Sequence, residues 1–317
     1  MTTLRFSFFP FSSFVFALLF LSSCAQPSWQ HDEGLVFGTV YSISYQYDDN
    51  LRSDIEAALK SVDDEFSMFN EHSTVARINR GEPVDSSAMF LEVWRLAQAV
   101  NRDTWGAFDI TVAPLVNAWG FGFKHEQMPT PEQVDSLLQI RSQLDFSAIA
   151  KGYGSDVVGR LLASKGIQNY MVEIGGEVVT SGHNSRGEAW RIGVTKPTEA
   201  ADAGGELQAI LRVSGRAMAT SGNYRNFYYK GGRRYAHTID PRTGYPVQHS
   251  ILSATVLADN CATADAYATA FMVLGLDSAR QVLERHPELA AYFICSTEAD
   301  SLTVWQSPQF SQYLNNE

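Results

Sequence analysis

Hydrophobic residues follow two different spacings along this chain. Residues 36–45 are rich in β-branched and aromatic side chains, which predicts a strand. Within residues 51–66 the apolar positions recur every three or four residues, the spacing of an amphipathic helix. The same spacing predicts a helix at residues 90–101. Thr130 followed by Pro131 predicts the start of another helix, which ends at Leu138.

Helices and strands alternate through the rest of the chain. Further helices are predicted at residues 155–164, 261–274 and 278–285. Further strands are predicted at residues 170–174, 190–194, 207–213, 251–257, 290–295 and 302–305. Residues 198–205 (TEAADAGG) predict a surface loop. Because no repeat or low-complexity linker follows residue 34, we expect one α+β (mixed α/β) domain over residues 35–317, with its halves interleaved.

The first residues have the features of an export signal. Arg5 precedes an apolar core of 8 residues at positions 14–21, far fewer than the roughly 20 that a membrane-spanning helix needs. The following Leu-Ser-Ser-Cys24 predicts a bacterial lipoprotein signal over residues 1–23, a lipid on Cys24 and a polar tether over residues 24–34. We expect a protein anchored by lipid in the bacterial cell envelope and facing the periplasm, in either the inner or the outer membrane. An ordinary signal peptide cut elsewhere is the alternative.

Composition excludes several classes of protein. The chain has 317 residues, of which 45% are hydrophobic and 12% aromatic, so it is neither disordered nor fibrous. Its net charge of −11 becomes −12 when Arg5 leaves with the signal, and no cluster of Lys and Arg offers a nucleic-acid footprint. An anionic substrate must therefore be met locally, by a metal, a helix N-terminus or one well-placed cation.

Several familiar sites are absent from the sequence. It contains no Walker loop, no GxGxxG, no GxSxG elbow, no HExxH and no SxxK. Besides Cys24 there are two cysteines, Cys261 and Cys295, without the CxxC spacing of a redox or zinc site. They fit a single disulfide or two buried thiols about equally well.

Two segments combine small residues with groups that suit a flat or an anionic ligand. In residues 106–122 (GAFDITVAPLVNAWGFG), small residues allow a backbone to approach a flat ligand that the aromatic rings then cover. In residues 145–154 (DFSAIAKGYG), small residues precede the helix predicted from Ser155, where backbone amides can bind an anion. Lys151 is the one charged residue between Phe146 and Ser155. Taken singly, the first segment is more typical of a core helix and Lys151 of a solvated lysine.

Two later segments carry polar groups suited to catalysis. His237 precedes the turn sequence of residues 240–244 (DPRTG), and histidine exchanges protons near neutral pH. Asp265 and Thr269 are four residues apart on the predicted helix, so their oxygens lie on one face, where Mg²⁺ could bind them. Taken singly, each is more typical of a structural residue.

Together and in this order, the segments resemble one family, the ApbE-type flavin transferases, which are periplasmic lipoproteins that move FMN from FAD onto a protein. The resemblance covers residues 37–275. Its motifs are GT (38–39), SMFN (67–70), GAFDITVAPLVNAWGFG (106–122), DFSAIAKGYGSD (145–156), EIGGEV (173–178), ATSGNYRNF (219–227), HTIDPRTGYPV (237–247) and ATADAYATAF (262–271). The resemblance implies an ApbE-like fold whose halves surround a central FAD cleft.

The resemblance also implies roles for individual residues. The positions that would bind FAD are Phe37, Ser67, Met68, Phe69, Ala107, Phe108, Asp109, Asp145, Lys151 and Ile239. Mg²⁺ would be held by the backbone carbonyl of Ala148 and the side chains of Asp265 and Thr269, and His237 would be the catalytic acid or base. Phe37 stands where the family often has Met, and residues 146–147 (Phe-Ser) stand where Leu-Gly is usual, which affects contacts with the flavin or adenine.

The reaction implied by the resemblance is Mg²⁺-dependent transfer of FMN from FAD to a Thr or Ser hydroxyl of an acceptor protein. It forms a phosphoester and releases AMP. The usual acceptors in the family are subunits of membrane-bound, ion-translocating redox complexes that use NADH or ferredoxin. Two alternatives stay open: an Mg²⁺-dependent FAD pyrophosphatase that gives FMN and AMP, and a non-catalytic periplasmic FAD-binding lipoprotein.

Overall fold

The computed structural model describes residues 27–122, 128–140, 142–197, 206–223, 227–230, 233–297 and 301–315. Within these ranges the strands are β1 (Trp29–Val36), β2 (Thr39–Gln46), β3 (Tyr170–Ile174), β4 (Glu177–Ser181), β5 (Trp190–Thr195), β6 (Leu207–Val213), β7 (Ala217–Gly222), β8 (Phe227–Lys230), β9 (Arg233–Ala236), β10 (Ile251–Ala258), β11 (Ala290–Ser296) and β12 (Leu302–Gln306). The helices are α1 (Arg52–Phe66), α2 (Thr74–Asn79), α3 (Ala88–Asp103), α4 (Ala113–Ala118), α5 (Pro131–Leu137), α6 (Ala150–Ser164), α7 (Cys261–Leu274) and α8 (Leu276–Arg285). A 3-10 helix spans Pro308–Tyr313.

Eight of these strands form one antiparallel sheet in the order β1-β2-β3-β4-β7-β10-β11-β12. Strands β1 to β4 form one side of this sheet and β7, β10, β11 and β12 the other, and the two sides join where Val178 of β4 pairs with Met218 of β7. Strands β5 and β6 form a separate pair, as do β8 and β9. The α+β class predicted from the sequence is confirmed.

The two faces of the large sheet bury different apolar layers. Helices α1, α6 and α7 pack on one face, and β5, β6 and the 3-10 helix cover the other. Neighbouring residues of β10 show this division: Val256 belongs to the core under the helices, and Leu257 to the core under β5 and β6. Because side chains alternate across a strand, the same eight strands support both layers.

The folded part begins earlier than the sequence predicted. Residues 29–34, expected to belong to the tether, lie in β1, which pairs along its whole length with β2. The sequence did not predict β1 as a strand because its composition is polar, as an edge strand allows. Its one buried carboxylate, that of Asp32, accepts hydrogen bonds from Tyr45 Oη at 2.8 Å and Asn50 Nδ2 at 3.1 Å. The tether prediction is therefore wrong for residues 29–34, and residues 1–26, including Cys24, lie outside the described ranges.

Two other boundaries differ from the sequence prediction. The single strand expected at residues 36–45 is a hairpin, because Phe37 (φ 51°) and Gly38 (φ 73°) form its turn. Helix α6 begins at Ala150 instead of Ser155, so the small residues before Ser155 form its first turn. Glycine has low helix propensity, and packing against α7 and the sheet overrides it here. The loop predicted at residues 198–205 lies outside the described ranges.

Strand β7 has a weak sequence signal. It (AMATSG) lacks the β-branched and aromatic run that predicts strands, but it pairs with β10 on one side and β4 on the other.

Cys261 and Cys295 are both buried free thiols. Among the residues that the structure describes, no helix is long and apolar enough to cross a bilayer.

A polar cluster ties the C-terminus of α8 to α3. Asp103 Oδ2 lies 3.0 Å from His286 Nε2 and accepts a hydrogen bond from Tyr267 Oη at 2.9 Å. His286 Nδ1 lies 2.7 Å from Glu288 Oε1. Partial burial lowers the pKa of His286, but its hydrogen bonds to Glu288 and Asp103 outweigh that effect and raise it above 6.5.

This cluster predicts a pH-dependent contribution to stability. A histidine whose pKa is raised on folding stabilises most when it is protonated in both states, and it loses that contribution as the pH rises through its folded pKa. We therefore expect His286→Gln to lower the free energy of unfolding more at about pH 6 than at about pH 8.5. Urea denaturation at both values measures this, with the exposed His72→Gln as control. An equal loss at both values would contradict it.

Candidate active site

A cavity of about 400 Å³ opens between the ends of α6, α7 and the loop that follows α3, a size typical of small-molecule sites. All the residues predicted to bind FAD or the metal or to act in catalysis line it except Phe37 and Ser67. Those present are Met68, Phe69, Ala107, Phe108, Asp109, Asp145, Ala148, Lys151, His237, Ile239, Asp265 and Thr269. The structure therefore brings together residues that lie up to 201 positions apart in the sequence, from Met68 to Thr269.

The two exceptions support the site from behind. The ring of Phe37 packs so closely on α6 that a Cβ added to Gly154 would lie 2.7 Å from Phe37 Cε2. Ser67 follows α1, and its Oγ accepts hydrogen bonds from the backbone N–H groups of Phe69 and Asn70, both at 3.2 Å. Ser67 thus shapes the loop that leaves the side chain of Phe69 at the cavity wall, 84% exposed.

The loop after α3 is fixed at both ends. Trp105 (φ 53°) and Gly106 (φ 79°) turn the chain into the cavity wall, and Asp109 Oδ1 accepts hydrogen bonds from the N–H and hydroxyl of Thr111 at 2.8 and 2.7 Å. At the far end, Trp119 Nε1 donates to the carbonyl of Gly244 at 2.7 Å. This bond joins the segment 106–122 to the turn that follows His237.

That turn has the geometry its sequence predicted. The N–H of Gly244 donates to the carbonyl of Asp240 at 2.8 Å, and Gly244 has a φ of 79°. Asp240 Oδ1 accepts from the N–H of Arg242 at 2.9 Å. The turn presents Ile239 and the half-buried His237 to the cavity, where the ring of Phe121 lies edge-on to the imidazole at a centroid distance of 6.4 Å.

Helices α6 and α7 meet at a contact that only glycine permits. A Cβ on Gly152 would lie 2.4 Å from the carbonyl oxygen of Cys261 and 2.8 Å from Asp265 Cβ. The N–H of Gly152 donates to Asp265 Oδ2 at 3.0 Å. From the next turn of α6, the Asp156 carboxylate accepts hydrogen bonds from the N–H groups of Cys261 at 2.7 Å and Ala262 at 2.9 Å. Backbone and side-chain bonds thus lock the start of α7 to α6.

A group of three charges lies at this contact. Lys151 Nζ is 2.7 Å from Glu177 Oε1 and 4.0 Å from Asp265 Oδ2. Burial raises the pKa of both Glu177 and Asp265, while the Lys151 ammonium opposes both shifts. Burial lowers the pKa of Lys151, but the charges of Asp265 and Glu177 outweigh this and hold it above its usual value.

Glu177 is a buried charged residue of the cavity that the sequence prediction did not include. It lines the cavity, 2% exposed, at the first position of β4. Its signal was the motif EIGGEV, where a carboxylate directly follows two glycines and opens a strand. The motif contributed to the family resemblance, but the burial of its second glutamate depends on the position of α6, which no local pattern contains.

The oxygens at the α6–α7 contact fit a divalent cation. Asp265 and Thr269 lie one turn apart on α7, and Ala148 lines the same cavity, so a carboxylate, a hydroxyl and a carbonyl are available as hard ligands. Glu177 Oε2 is buried without a hydrogen-bond partner, and one ammonium faces two carboxylates. Within the described ranges no group of three or more His, Cys, Asp and Glu side chains is arranged to hold a metal ion.

Comparison with known proteins agrees with this geometry. A model of the ApbE family matches residues 37–293. The chain belongs to the ApbE family. It is 37% identical to the FAD:protein FMN transferase of Haemophilus influenzae, an alignment covering 85% of this chain and 87% of that protein. It is 36% identical to the protein of the same name from Vibrio cholerae, over 94% of this chain and 97% of that one.

Solved ApbE structures share the fold. The flavin transferase ApbE from Vibrio cholerae superposes with a TM-score of 0.81 at 35% identity, covering 90% of this chain and 99% of that one. The apo form of the flavinyl transferase ApbE from Pseudomonas stutzeri gives a TM-score of 0.80 at 30% identity, over 91% and 98% of the two chains. The resemblance inferred from the motifs is confirmed.

The Gly152 contact predicts that this ApbE chain does not tolerate a side chain there. We expect Gly152→Ala to separate α6 from α7 and to lower the free energy of unfolding by about 1–3 kcal/mol, as overpacking does. Urea denaturation measures the loss. The matched control is Gly159→Ala in the same helix, whose added Cβ would lie 3.2 Å from Val179 Cγ1. Equal stability of the two variants would show that the close approach is unimportant.

Proposed function

We propose that this chain is an Mg²⁺-dependent FAD:protein FMN transferase that moves FMN from FAD to a Thr or Ser hydroxyl of an acceptor protein and releases AMP. The observation that carries the proposal is the convergence of Asp265, Thr269 and His237 on one cavity. The named relatives are FAD:protein FMN transferases that align over most of their length, which supports the same activity here.

The residues that would hold Mg²⁺ are Asp265, Thr269 and the carbonyl of Ala148. When bound, Mg²⁺ would neutralise charge on the pyrophosphate and on the departing AMP phosphate. Asp265 is buried and its Oδ2 accepts a hydrogen bond from the N–H of Gly152, so its orientation is fixed before any ligand arrives. A preoriented carboxylate lowers the cost of assembling the site.

His237 and Lys151 supply the other chemistry. His237 would take the proton of the acceptor hydroxyl while that oxygen bonds to the phosphorus on the FMN side and the bond from this phosphorus to the AMP oxygen breaks. The ammonium of Lys151 would face the phosphate oxygens of FAD, since it carries the positive charge at this wall of the cavity. Met68, Phe69, Phe108 and Ile239 offer apolar surface for the flavin and adenine rings.

The proposal extends to location and acceptor. A lipid on Cys24 would keep the enzyme in the bacterial cell envelope, facing the periplasm, on the inner or the outer membrane. Acceptors would be exported flavin-bearing subunits of membrane-bound, ion-translocating redox complexes. The acidic chain has no basic cluster that would recruit nucleic acid. FAD hydrolysis to FMN and AMP, and FAD binding without turnover, are the competing functions.

Asp265 provides the main test. With FAD, Mg²⁺ and an acceptor domain, we expect Asp265→Asn to slow acceptor labelling by at least about a hundredfold, because the change removes the charged carboxylate that we assign to Mg²⁺. Each factor of ten in rate corresponds to about 1.4 kcal/mol of transition-state stabilisation. In-gel flavin fluorescence and AMP release measure the rate. The control is Asp277→Asn, the same change at an exposed position of α8.

The outcomes separate the three functions. Labelling and AMP release that both depend on Asp265 support transfer. AMP and free FMN formed at the same rate with and without acceptor would identify a hydrolase. FAD that stays intact in every sample would identify a binding protein. Unchanged activity in Asp265→Asn would refute the metal assignment.

His237 has a separate test. We expect His237→Gln to lower kcat by about 10²–10⁴-fold with little change in KM for FAD, because a general base acts mainly in the transition state. The control is His183→Gln, which changes an exposed histidine. A variant that raises KM and leaves kcat unchanged would show that His237 binds substrate instead.

A further inference from the structure

At the α6–α7 contact, one ammonium lies closer to one of two buried carboxylates than to the other. Lys151 could pair with either of two buried carboxylates, yet its Nζ lies at 2.7 Å from Glu177 Oε1 and at 4.0 Å from Asp265 Oδ2. The side chains of Glu177 and Asp265 are 3% and 6% exposed, so water does little to screen them. The position of the ammonium therefore decides which carboxylate is neutralised.

The backbone of Glu177 is fixed by a tight turn and by a hydrogen bond from α6. It begins β4 immediately after Gly175 and Gly176, whose positive φ values of 62° and 101° form the turn between β3 and β4. Its carbonyl accepts a hydrogen bond from Ser155 Oγ of α6 at 3.0 Å. Its Oε1 accepts from Lys151, and its Oε2 has no hydrogen-bond partner. Lys151 is thus the group that compensates its buried charge.

A lysine at this position can also obstruct the site. If Nζ moved the short distance to Asp265, it would neutralise the carboxylate that we assign to Mg²⁺ and occupy the space near its oxygens. Two buried opposite charges attract strongly at such separations. A second carboxylate that binds the ammonium would oppose this movement, and Glu177 Oε1 lies 2.7 Å from Lys151 Nζ.

We propose that Glu177 is a positioning residue that holds the Lys151 ammonium away from Asp265 and so keeps Asp265 available to Mg²⁺. This role rests on the proposed function, because it concerns the same metal site. Glu177 is not assigned as a metal ligand. It acts through Lys151, and its effect must vanish when Lys151 is removed.

A double-mutant cycle tests this role by metal binding instead of activity. Mg²⁺ binding to the full chain, purified in detergent, is measured by titration calorimetry, and Mn²⁺ binding by electron paramagnetic resonance. The four proteins are wild type, Glu177→Gln, Lys151→Met and the double variant. We expect Glu177→Gln alone to weaken Mg²⁺ binding by at least about fivefold, and to change it by less than about twofold in the Lys151→Met background.

The opposing outcomes are distinct. If Glu177→Gln weakens binding by the same factor in both backgrounds, Glu177 acts as a ligand or through its charge alone, and the positioning role is overturned. If wild type and Asp265→Asn bind Mg²⁺ identically, the metal assignment of the proposed function is wrong and the role of Glu177 falls with it.

A second measurement covers the case in which Lys151→Met does not fold. In a crystal structure of Glu177→Gln, which keeps the shape of the side chain, we expect Lys151 Nζ within hydrogen-bond distance of an Asp265 oxygen. An ammonium that stays beside residue 177 and away from Asp265 would overturn the proposal. Thermal unfolding of each variant, followed by circular dichroism, establishes that it is folded.

Discussion

The close approach of α6 and α7 at Gly152 is the constraint on which the rest of the site depends. A methyl group there would collide with the backbone of α7, so the two helices meet only because α6 has no side chain at this position. The contact lets a backbone N–H of one helix bond to the carboxylate of the other. It also brings Lys151 and Ala148, from the segment 145–154, to the face of α7 that carries Asp265 and Thr269. Each half of the chain therefore supplies only part of the site.

The large sheet explains why this contact is rigid. Helix α6 packs on β3 and β4 at one side of the sheet, and α7 packs on β7 and β10 at the other. Since β4 and β7 are paired, the two helices rest on one continuous surface. Asp156 then fixes the start of α7 through two backbone bonds. The buried charges can persist here because the Lys151 ammonium lies beside the carboxylate of Glu177 and near that of Asp265.

Local patterns predicted most of the fold and most of the site, and they failed where long-range contacts decide the structure. Helices α1 and α3 follow their apolar spacing, and the turn at Asp240 follows its residue types. The polar edge strand β1 and the small-residue strand β7 have no comparable signal, because their pairing partners are distant in the sequence. Glu177 was missed for the same reason. The role that we propose for it depends on Lys151, which lies 26 residues away.

The early start of β1 limits how far from the bilayer the folded domain could lie. With the lipid on Cys24 that we propose, only residues 24–28 precede Trp29. Such a segment spans at most about 18 Å when fully extended, at about 3.6 Å per residue. The domain would then sample a thin layer next to the bilayer, and a protein that diffuses freely in the periplasm would seldom present a hydroxyl there. The choice of acceptor would depend on where the acceptor is anchored as well as on the shape of the cavity, since acceptors anchored in the same membrane are concentrated within that layer.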